Sequence, residues 1–328
     1  PLVLVLPGSR RGEVARMGPI FGEVLGALAQ SRPNMRMIVP AAPAVADAVQ
    51  ALVKDWPVDA HIVDIRGMDG ETAQATKRAA FAAADVALAT SGTVALDGDT
   101  HVVTGSLEAA LRGVGGCAAA IDAVIAGEVA NAFVAMRPPG HHAESETAMG
   151  FCLFGNAAIA AKRALDHYGL ARVAVLDFDV HHGNGTQDLL WSEARCLFAS
   201  SHQMPLYPGS GSVHETGAHD NVLNVPLAPM TGGDEMKRAW GDLILPAVDD
   251  FSPELIIISA GFDAHAADPL ANLNWSTEDF AWLTHAICDV ADAHAKGRVV
   301  STLEGGYDLN ALAASVAAHV DVLMERGA

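Results

Sequence analysis

The sequence lacks most features that mark a secreted disulfide protein or a membrane protein. Its 328 residues include only four cysteines, widely spaced and without a Cys-x-x-Cys pair, which excludes a disulfide framework and favours reduced thiols in the cytoplasm. We find no basic leader with a cleavage site and expect no apolar run that spans a bilayer. Basic residues are also scarce. The net charge of −19 argues against direct nucleic-acid binding and favours cationic ligands.

The charge is divided unevenly along the chain. Residues 1–97 have a net charge of −1 and one histidine, whereas residues 98–328 have a net charge of −18 and the other 13 histidines. This change predicts two parts of different origin. In both parts apolar strand-like runs alternate with helix-like segments, which predicts an α/β fold with a parallel sheet and helices on both faces. We expect a helix over Ser106–Ala126 to be interrupted at its glycines, and residues 201–231 to form a long loop.

Four polar clusters in the second part each follow a predicted strand. They are Arg137–His142, Asp177–Gly185, Ala260–His265 and Glu304–Tyr307. Because the C-terminal ends of parallel strands share one edge of a sheet, we expect the clusters to converge there. Each cluster alone is more often a turn or a helix cap, so the prediction depends on all four occurring together.

The second and third clusters contain a metal-ligand set. Asp179 and His181 offer an oxygen and a nitrogen to one divalent cation, a combination that suits zinc, and Asp263 would supply a third ligand. Three protein ligands leave coordination positions open for water and substrate.

The first and fourth clusters contain groups that move protons. His141 and His142 would serve as general base and general acid, and Tyr307 would donate its hydroxyl to a developing oxyanion. Together with the metal ligands, they predict metal-assisted hydrolysis of an amide or ester.

Several longer strings of the second part are specific in combination. They are Arg137–Ala143, Gly150–Phe154, Asp177–Gln187, Tyr207–Gly211, Ser259–His265 with Asp268–Leu270, and Glu304–Leu309. Through them, residues 98–328 resemble the histone-deacetylase-like amidohydrolases, in their class II-like and acetylpolyamine-amidohydrolase-like bacterial branch. The resemblance implies the arginase/deacetylase α/β fold and removal of an acyl group, typically acetyl, from an amine such as that of lysine or a polyamine.

The resemblance also implies a role for each site residue. One zinc ion would be held by Asp179, His181 and Asp263. His142 would be the general base and His141 its protonated partner, oriented by Asp177, while Tyr307 would polarise the scissile carbonyl. The substrate tunnel would be formed by Gly150, Phe151, Tyr207, Leu270, Gly305 and Gly306. A potassium ion, which the family often holds, would be bound by Asp177, Asp179, His181 and Ser200.

Two positions depart from the family pattern. Asn184 stands where other branches carry an acid beside the second histidine, which is expected to leave His142 less basic. Gly155 replaces a residue that is usually Asn.

The first part carries a different resemblance. Leu6–Val14, Ala80–Asp85 and Ser91–Leu96 are similar to segments of the nucleotide-binding half of lipid-A-disaccharide synthases, whereas the family's usual N-terminal part is missing. Residues 1–97 are therefore predicted to be a partial Rossmann-like βαβ segment whose Gly-Ser turn resembles a diphosphate cradle. A zinc deacylase, a glycosyltransferase remnant and an inactive fusion or pseudoenzyme are the alternatives. Nothing in the sequence indicates an oligomeric state.

Overall fold

The computed structural model of the protein describes residues 2–6, 11–31, 36–69, 72–73, 75–76, 86–89, 94–103 and 105–327. The chain divides into two compact units between Leu107 and Glu108. The predicted boundary at residue 98, which concerns the origin of the two parts, stays a prediction.

The first unit contains a four-stranded parallel sheet in the order β3-β2-β1-β4. Its elements are β1 (Leu2–Leu6), α1 (Arg11–Ser31), β2 (Arg36–Ala41), α2 (Ala46–Val53), β3 (His61–Asp64) and β4 (Val86–Ala89). Val5, Leu25, Val39 and Val49 are buried together between this sheet and its helices. The strand–helix–strand order and parallel pairing agree with the predicted βαβ pattern. An antiparallel pair, β5 (Val94–Ala95) and β6 (His101–Val102), follows.

Much of the predicted nucleotide-binding part lies outside the described residues. This applies to the Gly-Ser turn at positions 7–10, to residues 80–85, and to positions 91–93.

The second unit contains a six-stranded parallel sheet in the order β10-β9-β8-β11-β12-β7. Its strands are β7 (Asn131–Val134), β8 (Val173–Asp177), β9 (Cys196–Gln203), β10 (Val222–Leu227), β11 (Leu255–Ala260) and β12 (Val299–Leu303). Its helices are α3 (Ser106–Ala126), α4 (Asn156–Lys162), α5 (Asn184–Leu190), α6 (Gly233–Ala239), α7 (Leu245–Phe251), α8 (Thr277–His294) and α9 (Leu309–Arg326). A π-helical turn, Arg163–His167, extends α4, and another, Trp240–Ile244, joins α6 to α7.

The sheet of the second unit is buried on both faces. In β8, Ala174 and Leu176 belong to one apolar cluster, while Val173 and Val175 belong to the other. All six residues of β11 are buried. Strands covered on both faces read as continuous apolar runs, which explains why they were recognisable in the sequence. The four strands that precede the polar clusters are consecutive neighbours, in the order β8-β11-β12-β7.

Helix α3 differs from the prediction in two ways. It runs without interruption, and Gly116 lies where β7 packs closely on the helix: a Cβ on Gly116 would lie 3.1 Å from Val134 Cγ1. By length and composition it is also apolar enough to cross a membrane, contrary to the expectation that no run would be. Its buried Cys117, Ile121 and Val124 belong to an apolar cluster of the second unit, and core helices of this kind pass the same test.

The prediction of a long loop over residues 201–231 is also wrong in part. Strand β9 continues to Gln203, and β10 lies inside the predicted loop. Pro226 obscured β10 in the sequence. Proline is tolerated there because β10 is an edge strand. On an edge strand, a backbone nitrogen that carries no hydrogen can face away from the neighbouring strand.

Candidate metal centre and active site

The chain after β8 carries the first two predicted metal ligands. Phe178 and Val180 are buried in an apolar cluster and anchor this segment. Asp177 Oδ1 accepts a hydrogen bond from the N–H of Asp179 at 3.0 Å, and Asp179 Oδ1 accepts one from the N–H of His181 at 2.8 Å. Side chains that bind the backbone two residues ahead stabilise a tight turn, so Asp179 and His181 are held close together.

The third predicted ligand, Asp263, comes from the end of the neighbouring strand β11. Its Oδ1 accepts a hydrogen bond from the N–H of Val180 at 2.9 Å, which joins the two strand ends. One ligand atom from each of Asp179, His181 and Asp263 lies within 4.8 Å of the others, and all three residues are buried. His181 Nδ1 is 3.0 Å from Asp179 Oδ1 and 3.1 Å from Asp263 Oδ2. The three predicted ligands therefore meet at one point.

The backbone of Gly305 closes one side of this cluster. Its N–H donates a hydrogen bond to Asp179 Oδ2 at 2.8 Å. A Cβ at this position would collide with the carboxylates of Asp263 and Asp179, so the approach requires glycine. Two buried carboxylates and one imidazole form a mixed oxygen and nitrogen set whose negative charge a dication would balance. The residues fit zinc.

The buried charges of the cluster shift its protonation equilibria. Burial, and then the charge of Asp179, raise the pKa of Asp263 to about 6. Burial lowers the pKa of His181, but hydrogen bonds to Asp179 and Asp263 outweigh it and raise that pKa to about 11. A histidine must release its proton to become a ligand, so metal binding at this site would displace that proton.

The adjacent histidines have different partners. The rings of His141 and His142 are 4.0 Å apart between centroids. His141 Nδ1 lies 3.0 Å from Asp177 Oδ2, whereas His142 Nδ1 lies 2.8 Å from Asn184 Oδ1. One imidazole is therefore paired with a carboxylate and the other with a neutral amide.

The two rings differ in their protonation states. Burial lowers the pKa of His141, but the charges of Asp179 and Asp177 outweigh it and raise that pKa to about 10. Burial, and then the charge of His141, hold the pKa of His142 well below its ordinary value. The hydrogen bond with Asn184 acts in the opposite direction, so burial and the neighbouring charge, more than the amide partner, keep His142 neutral.

Glu304 links the histidine segment to the tyrosine segment, although its sequence context predicts no role for it. Its Oε2 accepts hydrogen bonds from the N–H groups of Gly140 at 2.6 Å and His141 at 3.1 Å, and its Oε1 accepts one from Ser259 Oγ at 3.1 Å. Burial raises the pKa of Glu304 to about 7. Its place at a strand end beside Gly-Gly-Tyr was the only signal for it in the sequence.

Tyr307 lies at the end of β12. Its N–H donates to Asp268 Oδ2 at 2.8 Å, and its ring centroid is 6.1 Å from that of Phe151. Burial, and then the charges of Asp179 and Asp263, raise the pKa of its hydroxyl above the ordinary value. The hydroxyl is therefore a proton-bearing donor near the metal ligands.

The predicted tunnel residues are arranged in two groups. Phe151 and Tyr207 are partly exposed aromatics, and the Tyr207 ring lies 5.1 Å from that of His142. Gly150 adopts φ +55 and packs on the His142 ring. Leu270 is half exposed. The glycines at positions 305 and 306 instead lie deeper, Gly305 at the metal ligands and Gly306 facing Leu312 and Phe262.

Ser200, the remaining predicted site residue, is buried on β9 opposite Asp177 of β8. Its hydroxyl is 2.9 Å from His202 Nδ1. The predicted potassium site stays a prediction.

Comparison with known proteins defines the class of this chain. The sequence model of the histone deacetylase domain matches residues 49–323. The chain belongs to the histone deacetylase family. It is 44% identical over 225 residues to the histone deacetylase-like amidohydrolase of Pseudomonas aeruginosa, covering 67% of this chain and 59% of that protein. It is 42% identical over 228 residues to histone deacetylase 10, chloroplastic, of Oryza sativa subsp. japonica, covering 67% of this chain and 52% of that protein. The chain thus spans between half and three fifths of the length of these two relatives.

A solved structure has the same fold. The crystal structure of the HDA15 HD domain aligns with a TM-score of 0.67 and 31% identity, covering 86% of this chain and 82% of that chain. The predicted deacetylase-type α/β fold is confirmed. The family match begins at residue 49, inside the predicted glycosyltransferase-like part. These matches do not show the lipid-A-disaccharide-synthase resemblance, which stays a prediction.

Proposed function

We propose that the protein is a zinc-dependent deacylase that hydrolyses an N-acetyl amide, such as acetyl-lysine or an acetylpolyamine. The observation that carries the proposal is the buried cluster of Asp179, His181 and Asp263 beside the pair His141–His142. Membership of the histone deacetylase family supports the same reaction class. When bound to the three ligands, zinc would polarise the acyl carbonyl and lower the pKa of a water molecule.

The chain's own residues have separate tasks in this reaction. His142, which its low pKa keeps unprotonated, accepts a proton from the attacking water. His141, whose Nδ1 lies 3.0 Å from Asp177 Oδ2, is the protonated partner and stabilises the negative charge that develops near it. Tyr307 donates a hydrogen bond from its hydroxyl to the acyl oxygen. The proton on His142 then passes to the leaving amine.

The substrate side of the site suits an alkyl amine. Phe151 and Tyr207 offer apolar faces for a methylene chain, and the net charge of −18 on residues 98–328 attracts a cationic molecule. Lysine side chains and polyamines share both properties, so the proposal includes both.

Metal analysis together with acetate release from an acetyl-lysine peptide and an acetylpolyamine tests the proposal. We expect one zinc per chain and an activity that a chelator abolishes and added zinc restores. Asp179→Ala should lose both zinc and activity, while Asp242→Ala, which replaces an exposed aspartate of the π-helical turn Trp240–Ile244, should keep both. If the zinc-loaded protein is no more active than Asp179→Ala, the deacylase proposal fails and the protein is a pseudoenzyme.

Three further expectations belong to the proposal. Residues 1–97 are a glycosyltransferase-type remnant, which the parallel β3-β2-β1-β4 sheet supports. Calorimetric titration with uridine diphosphate tests this expectation. No heat of binding at millimolar nucleotide would dismiss it.

A potassium ion held by Asp177, Asp179, His181 and Ser200 would raise the melting temperature in potassium relative to lithium salts. The location is cytoplasmic, which fractionation of the source cells tests.

A further inference from the structure

The side-chain amide of Asn184, at the start of α5, lies between two segments of the active site. Its Oδ1 is 2.8 Å from His142 Nδ1. Its Nδ2 is 2.7 Å from Glu144 Oε1, 3.3 Å from Met149 Sδ and 3.4 Å from the carbonyl oxygen of His142. Asn184 and His142 are buried, and Glu144 is partly so.

These contacts determine which way the amide faces. A carboxylate, a thioether and a backbone carbonyl accept hydrogen bonds and donate none, so all the partners on one side of Asn184 require its NH₂ group. The carbonyl oxygen Oδ1 must then face His142. The carboxylate of Glu144 is the strongest of these acceptors, because a hydrogen bond to an ionised group is roughly twice as strong as one between neutral groups.

The orientation of the amide in turn determines the tautomer of His142. Oδ1 only accepts, so His142 Nδ1 must carry the hydrogen of the neutral ring. The other nitrogen, Nε2, is then unprotonated and can accept a proton. If the amide faced the other way, Nδ1 would have to accept and Nε2 would carry the hydrogen, which removes the base.

We propose that Glu144 is a positioning residue that sets the tautomer of His142 through the amide of Asn184. This inference rests on the proposed function, in which His142 Nε2 receives the proton. Glu144 itself touches no reacting atom.

A purely structural role for the Glu144 side chain fits the contacts less well. The loop around it is held by other bonds: the N–H of Glu144 donates to the carbonyl of Thr147 at 3.0 Å, and the N–H of Ser145 donates to Asp188 Oδ2 at 2.9 Å. Neither bond uses the carboxylate of Glu144, so the loop retains its anchors when that carboxylate is replaced.

Reversing the hydrogen-bonding character of residue 144 tests the proposal. Glu144→Lys places a donor where Asn184 Nδ2 now finds its acceptor, so the amide turns and His142 changes tautomer. We expect kcat to fall by about 100-fold or more, in line with loss of a general base, while KM changes little. Glu144→Gln keeps an acceptor and should retain most of the activity.

The double variant Glu144→Lys with Asn184→Asp provides a rescue. An aspartate accepts hydrogen bonds on both sides, from the lysine and from His142 Nδ1, so the original tautomer returns. We expect kcat to recover to within about tenfold of the native enzyme, since tautomer and base are restored. Glu146→Lys, the same charge change at an exposed position of the same loop, is the matched control and should leave kcat unchanged.

A readout without activity separates this inference from the proposed function. Long-range proton–nitrogen correlation spectra of isotope-labelled histidine, with His142 assigned by comparison with His142→Gln, should show Nδ1–H in the native protein and the double variant, and Nε2–H in Glu144→Lys. Nε2–H in the native protein, or an unchanged tautomer and kcat in Glu144→Lys, would overturn the inference. An inactive native protein that shows the expected tautomers would contradict the deacylase proposal only.

Discussion

At the residue scale, two neighbouring histidines of one type acquire opposite properties from their surroundings. The charges of Asp179 and Asp177 raise the pKa of His141 to about 10 against the effect of burial, whereas burial and the charge of His141 lower the pKa of His142. An acid and a base can therefore coexist side by side near neutral pH. The residues around the two histidines act mainly by determining which ring nitrogens carry a hydrogen.

Replacing the tyrosine hydroxyl tests the oxyanion role at this scale. We expect Tyr307→Phe to lower kcat by about 100- to 1,000-fold, because one donor to the developing oxyanion is lost. Zinc content should not change, since the hydroxyl is not a ligand. Steady-state kinetics and metal analysis measure both, with the exposed Tyr168→Phe as control. Equal activities of the two variants would remove Tyr307 from the mechanism.

The close approach of Gly305 gives a second residue-scale prediction. Gly305→Ala places a methyl group against the carboxylates of Asp263 and Asp179, so zinc affinity should fall by about 10- to 100-fold, as for other changes just outside a metal site. Competition with a chelating dye measures the affinity. Gly241→Ala, whose added carbon meets no atom within 4 Å, should bind zinc like the native protein. Native affinity in Gly305→Ala would mean that the ligands relax around the methyl group.

At the element scale, most strands and helices of the second unit were predictable from their sequence patterns. Buried parallel strands such as β11 are continuous apolar runs, so periodicity and length locate them. The errors occurred where packing opposed local propensity. Glycine predicts a break in α3, yet the helix continues where β7 packs against it. Proline argues against a strand at β10, yet β10 forms because an edge strand tolerates proline.

Helix α3 provides a stability test of this explanation. An added Cβ at Gly115 meets no atom within 4 Å, so Gly115→Ala should raise the free energy of unfolding by about 0.5–1 kcal/mol through helix propensity alone. Gly116→Ala should gain less or lose stability, because its Cβ would lie 3.1 Å from Val134. Urea unfolding of both variants measures the difference. An equal gain in both would show that close packing does not explain the glycine at position 116.

At the scale of the whole molecule, the free energy of unfolding should depend on pH because one histidine is buried in the core. His319 is buried among Phe133, Phe178 and Phe262, and its ring nitrogens bond to the hydroxyls of Thr284 at 2.7 Å and Ser301 at 2.9 Å. Burial lowers its pKa to about 3. The unfolded chain therefore takes up this proton at a higher pH than the folded protein does.

The sign of the effect follows from that difference. The contribution of neutral His319 is complete above the unfolded pKa of about 6.5 and is lost as the pH falls towards 3, at up to about 1.4 kcal/mol per pH unit. Urea unfolding between about pH 7 and pH 5, with a chelator present, measures the slope. His319→Gln should be less stable at pH 7 but have a shallower slope, and the exposed His214→Gln should keep the native slope. If the unfolding free energy of His319→Gln changed with pH as steeply as that of the native protein, His319 would not be the source of the pH dependence.

By itself the sequence determined the chemical groups of this protein and the strand ends that carry them. Asp179 and His181 are two residues apart, and apolar runs mark the strands before each cluster, so this information is local. Only the tertiary structure decided which groups meet. Val180 bonds to Asp263 across 83 positions, Asn184 to Glu144 across 40, and Gly140 to Glu304 across 164. Strand order and loop packing set these distances, and no local pattern encodes them.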